Sequence, residues 1–420
     1  MAENIIYYGP PGTGKTYFLQ SKMSDYIDYA VSDEQIRGAY IKKTEKWILI
    51  AMIMLQNHGK MDSISIQSKI NSLNIGDNIN AISVLEDHNK DVSKIGLSRK
   101  SPCIFFETGD GCWYVDRIRI QQHMPNFFDK FLSDSKVDQR YAFVTFHQSF
   151  SYEDFIEGIR PQYIEDTNTL DYSPKAGIFK KICAIAAKNR EKEYAVFIDE
   201  INRGNISEIF GELISLIEVD KREGMANELS ATLPYSKETF VVPKNVNIYG
   251  TMNSADRSIG AIDIALRRRF KFVPMVPDSE IIDNELRMNG IDPHNVDGID
   301  VIKLFDRMNE RIEILFDRNH MLGQAMFLGI RNGNDIVDIM RNRVVPLLEE
   351  YFFKDLQKVQ MVFNDLDESG ELCDNPIYSH TTISVDKCFD FVGDYLLEDK
   401  KHYSVNPDIN LESIKHVYEG

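Results

Sequence analysis

GPPGTGKT, residues Gly9 to Thr16, is preceded by the apolar run NIIYYG (Asn4–Gly9) and followed by KTYFLQSKM. The run reads as a buried strand, and the segment after the glycines reads as a helix. Strand, G-x-x-x-x-G-K-T and helix together make a phosphate-binding P-loop. Gly9, Gly12 and Gly14 let successive N–H groups turn toward one anion, Lys15 is the side chain that reaches β/γ-phosphates, and the Thr16 hydroxyl suits Mg²⁺. Pro10, Pro11 and Thr13 complete the loop. The helix behind it aims its positive end at the same point. With the motif this close to residue 1, the target is expected to be recognised by an internal insertion, by the C-terminal part or by another chain.

A second element suits the same chemistry. In YAVFIDEINRGN (Tyr194–Asn205) an apolar run ends in Asp199-Glu200, as a buried parallel strand delivering two carboxylates at its end would. Beside a P-loop this reads as Walker B, with Asp199 in the Mg²⁺ shell and Glu200 polarising the attacking water. A third strand, in VNIYGTMNSADRS (Val246–Ser258), carries Asn253 toward the γ-phosphate side. The helix AIDIALRRRF (Ala261–Phe270) then closes on three arginines. These complement a helix dipole, and arginine also suits the charge that develops on a transferring phosphoryl group.

Taken in order, GPPGTGKT, FIDEINRGN, MNSADRS and ALRRRF resemble the AAA+ NTPases, and within them the McrB family, the motor subunits of modification-dependent restriction systems. FHQSFSYEDFIEGIRP (Phe146–Pro161), FGELISLIEVDKR (Phe210–Arg222) and VVPLLEEYFF (Val344–Phe353) are similar to further family segments: one before Walker B, the helix after it, and the lid. The resemblance covers about residues 1–25 and 140–360. It implies that Asn253 is sensor 1, that Asp256 and Arg257 form the family's M-N-x-x-D-R pair, and that Arg268 and Arg269 are trans-acting arginine fingers. Fingers require a neighbouring copy, so it also implies a homo-oligomeric ring, usually a hexamer, and an McrC-like nuclease subunit as partner. No nuclease constellation is visible in this chain. The family's founding system uses GTP, but a P-loop reads only phosphates, so GTP and ATP both stand as substrates. Two departures concern the DNA target: with the P-loop this close to residue 1, the family's N-terminal DNA-reading domain is not expected ahead of it, and the segment before FHQSF is much longer.

The expected fold class is α/β, an AAA+ P-loop NTPase with a parallel sheet core and helical lid, plus an inserted winged-helix-like α+β module. Residues 1–40 and 121–275 would form the large α/β subdomain, 41–120 the insertion, 276–362 the lid and 363–420 a C-terminal extension that packs on the lid or binds a partner. In the insertion, helices are expected over Lys46–Met61, Ser63–Ile75 and Asn78–Lys90, with a hairpin over Ser101–Arg117 turning at Gly109–Gly111. Residues 41–120 are near charge balance, and Lys94–Lys100 is basic, so DNA and protein are both open as its ligand. Gln121–Leu132 is expected to be a helix, with His123 structural, and Glu228–Pro243 a hairpin. Arg341 and Arg343 are the nearest approach to a sensor 2, and His320 reads equally as a cap or a site residue.

Composition sets bounds. The 420 residues are 43% hydrophobic and 27% charged, with a formal charge of −17 that argues against the whole surface coating a polyanion. Five scattered cysteines without a C-x-x-C pair suit reduced cytoplasmic thiols. No apolar run approaches the roughly 18 residues of a membrane span, and the N-terminus lacks a signal-peptide pattern. The motor reading competes with a MoxR-type protein-remodelling chaperone, against which MNSADR counts. It competes also with a feeble-turnover scaffold, which would have no need of both Glu200 and paired arginines.

Overall fold

The protein is described by a computed structural model over residues 2–75, 79–89, 100–108, 110–132, 137–164, 169–256, 264–389 and 396–419. Its central sheet has five strands: β1 (Asn4–Gly9), β2 (Tyr141–Thr145), β3 (Tyr194–Asp199), β4 (Val246–Asn253) and β5 (Lys271–Pro274). Their spatial order is β5-β1-β4-β3-β2, and β3 runs parallel to both its neighbours. Val196, Phe197 and Ile198 are wholly buried, as expected where helices cover both faces of a parallel sheet. The helix Ile178–Lys188 buries Phe179, Ile182, Cys183 and Ala186, one stripe at helical spacing. This is the α/β core with a helical lid that the motifs led us to expect.

The chain divides into two compact units, Met1–Tyr7 with Thr16–Met252 and Ile259–Val273, and Tyr8–Lys15 with Asn253–Ser258 and Pro274–Gly420. Within the first, an inserted region has an apolar core of its own, running from Val31 to Leu132 and therefore drawing on residues either side of 41–120. At its centre the helix Lys46–Gln56 buries every residue from Trp47 to Leu55, which explains why its sequence is apolar on all sides. That helix ends short of Met61, because His58 and Gly59 both take positive φ. Residues Lys60–Asp62 instead form a strand. Helices Ser63–Ser72 and Ala81–Asp87 follow, then strands Phe105–Glu107 and Cys112–Val115. The second of these strands pairs antiparallel with both Lys60–Asp62 and Phe105–Glu107. Gly109 and the basic residues 94–99 lie outside the described residues.

Two expected helices are broken, each for a local reason. Gln121–Leu132 belongs to two helices, Arg117–His123 and Phe127–Leu132, separated at Met124-Pro125, since proline cannot continue a helical hydrogen-bond ladder. Phe210–Arg222 breaks at Gly211, whose φ is 52° and whose missing side chain leaves room for the Tyr152 ring. A long hairpin absent from the sequence reading precedes Ile178–Lys188: Glu157–Ile159 pairs with Pro174–Ala176, and Gln162–Ile164 with Thr169–Asp171. The expected hairpin over Glu228–Pro243 is present as two-residue strands pairing Ala231 with Phe240 and Thr232 with Thr239.

In the second unit the helices Ser279–Met288, Val301–Leu315, Gly333–Ile339, Val345–Tyr351 and Gln357–Phe363 share one apolar core. Tyr378, Ile409, Ile414 and Val417 belong to that same core, so residues after 363 pack with the lid helices.

Candidate functional site

The phosphate loop is shaped by glycine. Gly12 and Gly14 have φ of 78° and 80°, a region closed to most side chains, and a Cβ on Gly9 would collide with the Met275 carbonyl. Lys15 is 9% exposed and donates from Nζ to Gly9 O at 2.9 Å and to Pro10 O. Thr13 Oγ1 donates to Pro10 O at 3.0 Å and closes the first turn of the loop. Pro11 lies between these bonded residues.

In the first unit, Thr16 opens its portion of the helix Lys15–Met23 and points its hydroxyl at Asp199, with 3.4 Å between Oγ1 and Oδ1. Asp199 is the last residue of β3, delivered to the carboxyl end of the strand by the buried run before it. Two hard oxygen donors at this spacing fit Mg²⁺, which prefers one or two protein oxygens and takes its remaining ligands from water and phosphate. Among the described residues no cluster of three or more His, Cys, Asp or Glu could form a different metal cage.

Thr251, in β4 and 2% exposed, donates its hydroxyl to Asp199 Oδ1 and accepts from Glu200 N at 3.1 Å. The sequence reading passed over it, and only the pairing of β4 with β3 brings it there. Glu200 has φ 53° and ψ 47°, left-handed backbone that a non-glycine residue adopts at a cost of about 1–3 kcal/mol. The turn carries its carboxylate off the line of β3, where it meets the Arg203 guanidinium at 3.3 Å. Backbone strain at a residue read as the water-polarising carboxylate is where stored strain is commonly found.

In the second unit, Asn253 ends β4 and directs Nδ2 at Asp256 Oδ2, 3.4 Å away, while its Oδ1 accepts from Ala255 N. Two residues read as site residues are thus held together. Arg257 lies outside the described residues, as do residues 258–263. The arginines differ from one another. Arg268 is exposed, whereas Arg269 is 8% exposed and pairs with Glu218 at 3.0 Å. Its backbone carbonyl also accepts from Asn4 Nδ2. Arg269 is therefore committed to contacts within its own chain, whereas Arg268, like Arg267 before it, is presented to solvent.

A segment of the second unit reaches the phosphate loop. Ala325 N donates to Gly12 O at 3.0 Å, and Gln324 Nε2 donates to Thr13 O at 3.0 Å. Any Cβ on Gly323 would collide with the Gly12 backbone. His320, in the same segment, is buried and bonds Asp317 at 2.7 Å, with its ring against Phe316 and Tyr351. Arg341 donates to Pro407 O, a structural tie to the C-terminal segment. His123 stands edge-on to Trp47 in the insertion.

Comparison with known proteins bears on this arrangement. Residues 128–270 match the AAA domain of the dynein-related subfamily, and residues 300–360 match the α-helical lid domain of McrB. The chain is 39% identical over 249 residues to the Type IV methyl-directed restriction enzyme EcoKMcrB subunit of Escherichia coli (strain K12), a match spanning 56% of this chain and 52% of that protein. It thus spans about half the length of that relative. It is 24% identical over 294 residues to the Type II restriction enzyme BsuMI component YdiS of Bacillus subtilis (strain 168), across 60% of this chain and 83% of that one. A strand leading into a P-loop, a β3 ending in Asp199 with Glu200 next, a β4 ending in Asn253, and the matches to an AAA domain and to the McrB lid mark this chain as McrB-like and of the AAA+ type.

Proposed function

We propose that the chain is the nucleoside-triphosphate-hydrolysing motor of a cytoplasmic restriction system, acting on GTP or ATP with Mg²⁺. The observation that carries this reading is the Asp199–Thr251–Glu200 arrangement beside Thr16, in a chain whose lid is of the McrB type. Asp199 and Thr16 hold the metal, which neutralises phosphate charge, and Glu200 orients the attacking water. Asn253, with Asp256 and Arg257, reads the γ-phosphate. Arg268 enters the site of a neighbouring copy in a ring as a trans-acting finger, and Arg269, paired with Glu218, holds the segment that presents it. An McrC-like nuclease completes the system, and the hexameric arrangement is carried over from the family.

We read the inserted region as a winged-helix-like docking module. Its support is the order helix, strand, helix, helix, strand, strand, with the last strand between the other two. A protein ligand is favoured over DNA, because Lys100, the described end of the basic stretch, is already paired with Asp87 at 2.8 Å.

The test is phosphate release from ATP and from GTP, for wild type and Glu200→Gln, with and without the McrC-like partner. Turnover of one nucleotide, lost in Glu200→Gln and raised by the partner, is the expected result. Turnover indifferent to the partner would favour a remodelling chaperone, and none under any condition a scaffold.

A further inference from the structure

We infer that Gln324 is a positioning residue of the phosphate loop, through which the helical lid takes part in holding nucleotide. The inference rests on the NTPase reading above and deepens it.

The Gln324 side chain is 3% exposed, and both ends of its amide are used. Nε2 donates to the Thr13 carbonyl at 3.0 Å, and Oε1 accepts from Asp278 N at 3.4 Å. Asp278 caps the lid helix Ser279–Met288, its side chain accepting from Glu280 N. One amide thus joins the loop that wraps phosphate to the first turn of a lid helix.

The rest of the segment is built to hold that amide in place. Asn309, 3% exposed on the helix Val301–Leu315, donates to Leu322 O at 3.1 Å and accepts from Leu322 N at 2.6 Å. This two-way bond fixes the backbone two residues before Gln324. Gly323 then lies against Gly12 with no room for a side chain, and Ala325 N bonds Gly12 O. Gly12 and Thr13 therefore have both carbonyls occupied by the lid segment. With those carbonyls tied back, the N–H groups of the same peptides stay aimed at the anion, the arrangement on which a P-loop's affinity depends. A buried carbonyl that loses its donor is left unsatisfied, which is unfavourable, so the loop and the lid segment hold their shapes jointly.

The experiment compares wild type, Gln324→Leu and Gln324→Glu. Leucine fills the volume without either bond, and glutamate keeps the acceptor for Asp278 N but faces Thr13 O with no donor. Measured are KM and kcat for the hydrolysed nucleotide, Kd for a fluorescent analogue, and the rise in Tm on adding nucleotide. Both variants are expected to raise KM and Kd about ten-fold, as loss of about one net hydrogen bond would, with kcat within about three-fold of wild type. The nucleotide-dependent rise in Tm should shrink in both, a difference that subtracts any loss of stability without nucleotide. Unchanged KM and Kd in either variant would overturn the inference, as would a fall in kcat at unchanged KM. Failure of wild type to bind either nucleotide would instead overturn the NTPase reading, and this inference with it.

Discussion

Thr251 and Asp199, fifty-two positions apart in sequence, are joined by a hydrogen bond from the threonine hydroxyl to the carboxylate oxygen that also faces Thr16. The same hydroxyl accepts from Glu200 N, so one side chain on β4 holds both the Asp199 carboxylate that ends β3 and the Glu200 backbone that follows it. Asp199 can then present its remaining lone pairs to a metal without rotating. Thr251→Val keeps the shape and removes the hydroxyl. It should cut turnover about ten-fold, from about 1–1.5 kcal/mol of lost positioning, and raise the Mg²⁺ concentration needed for half-maximal rate. A Mg²⁺ titration of the variant checks this; an unchanged midpoint would separate Thr251 from metal binding.

Glu200→Gln should lower kcat by about 10²–10⁴-fold, the range for loss of a general base. Nucleotide affinity should stay within a few-fold, because Lys15, Thr16 and Asp199 are untouched. Single-turnover kinetics with a separate binding measurement distinguishes the two effects.

The adjacent arginines should part company. Arg268→Ala is expected to abolish most turnover while leaving the Tm of the protein unchanged, since the side chain is exposed. Arg269→Ala breaks a buried pair with Glu218 and should cost about 3–5 kcal/mol of stability. Mixing Arg268→Ala with Lys15→Ala should restore part of the activity if the arginine serves a neighbour's site. No recovery in the mixture would remove Arg268 from a trans role.

Two carboxylates give opposite pH dependences. Burial pushes the Asp365 carboxyl up to about 7, although it accepts from Ile377 N and Tyr378 N. Its folded value lies above its unfolded one, so ionisation opposes folding: stability falls as pH rises from about 4 to about 7 and then levels. Asp28 is the reverse. Although burial pushes it up, hydrogen bonds from Arg140, Lys192 and His58 outweigh that and hold it well below the usual carboxylate range. Its contribution is present above about pH 4 and is lost as pH falls below that. Thermal unfolding from pH 3 to 8 should show Asp365→Asn gaining on wild type as pH rises, and Asp28→Asn losing to it only above about pH 4. Parallel curves would remove either group from the linkage.

The insertion should remain folded when its docking role is impaired. Ile64 and Ile82 are 80% and 48% exposed, on the helices Ser63–Ser72 and Ala81–Asp87. Ile64→Ser with Ile82→Ser should change Tm by about 1 °C or less, as exposed substitutions do, and weaken capture of the protein ligand proposed for this module. A comparable loss of Tm would mark the two side chains as part of the core instead.

What the sequence determined by itself is local. Glycines at fixed spacing specify the turn of the phosphate loop, because they take the φ values found at Gly12 and Gly14 without the steric cost a side chain would add. An unbroken apolar run specifies a strand buried on both faces, and so where Asp199 emerges. The folded chain decided everything that depends on which strand lies beside which. Thr251 reads as one more polar residue in a strand until β4 pairs with β3. Arg268 and Arg269 are indistinguishable in ALRRRF, and it is Glu218, on a distant segment, that buries one and leaves the other exposed. Gln324 carried no signal at all in NHMLGQAMF. Its role exists because Asn309 fixes Leu322 and because two glycines, 311 positions apart, leave room for two backbones to touch. Backbone geometry is written in nearest neighbours along the chain; hydrogen-bond partners and burial are properties of packing, and packing is settled only when the whole fold closes.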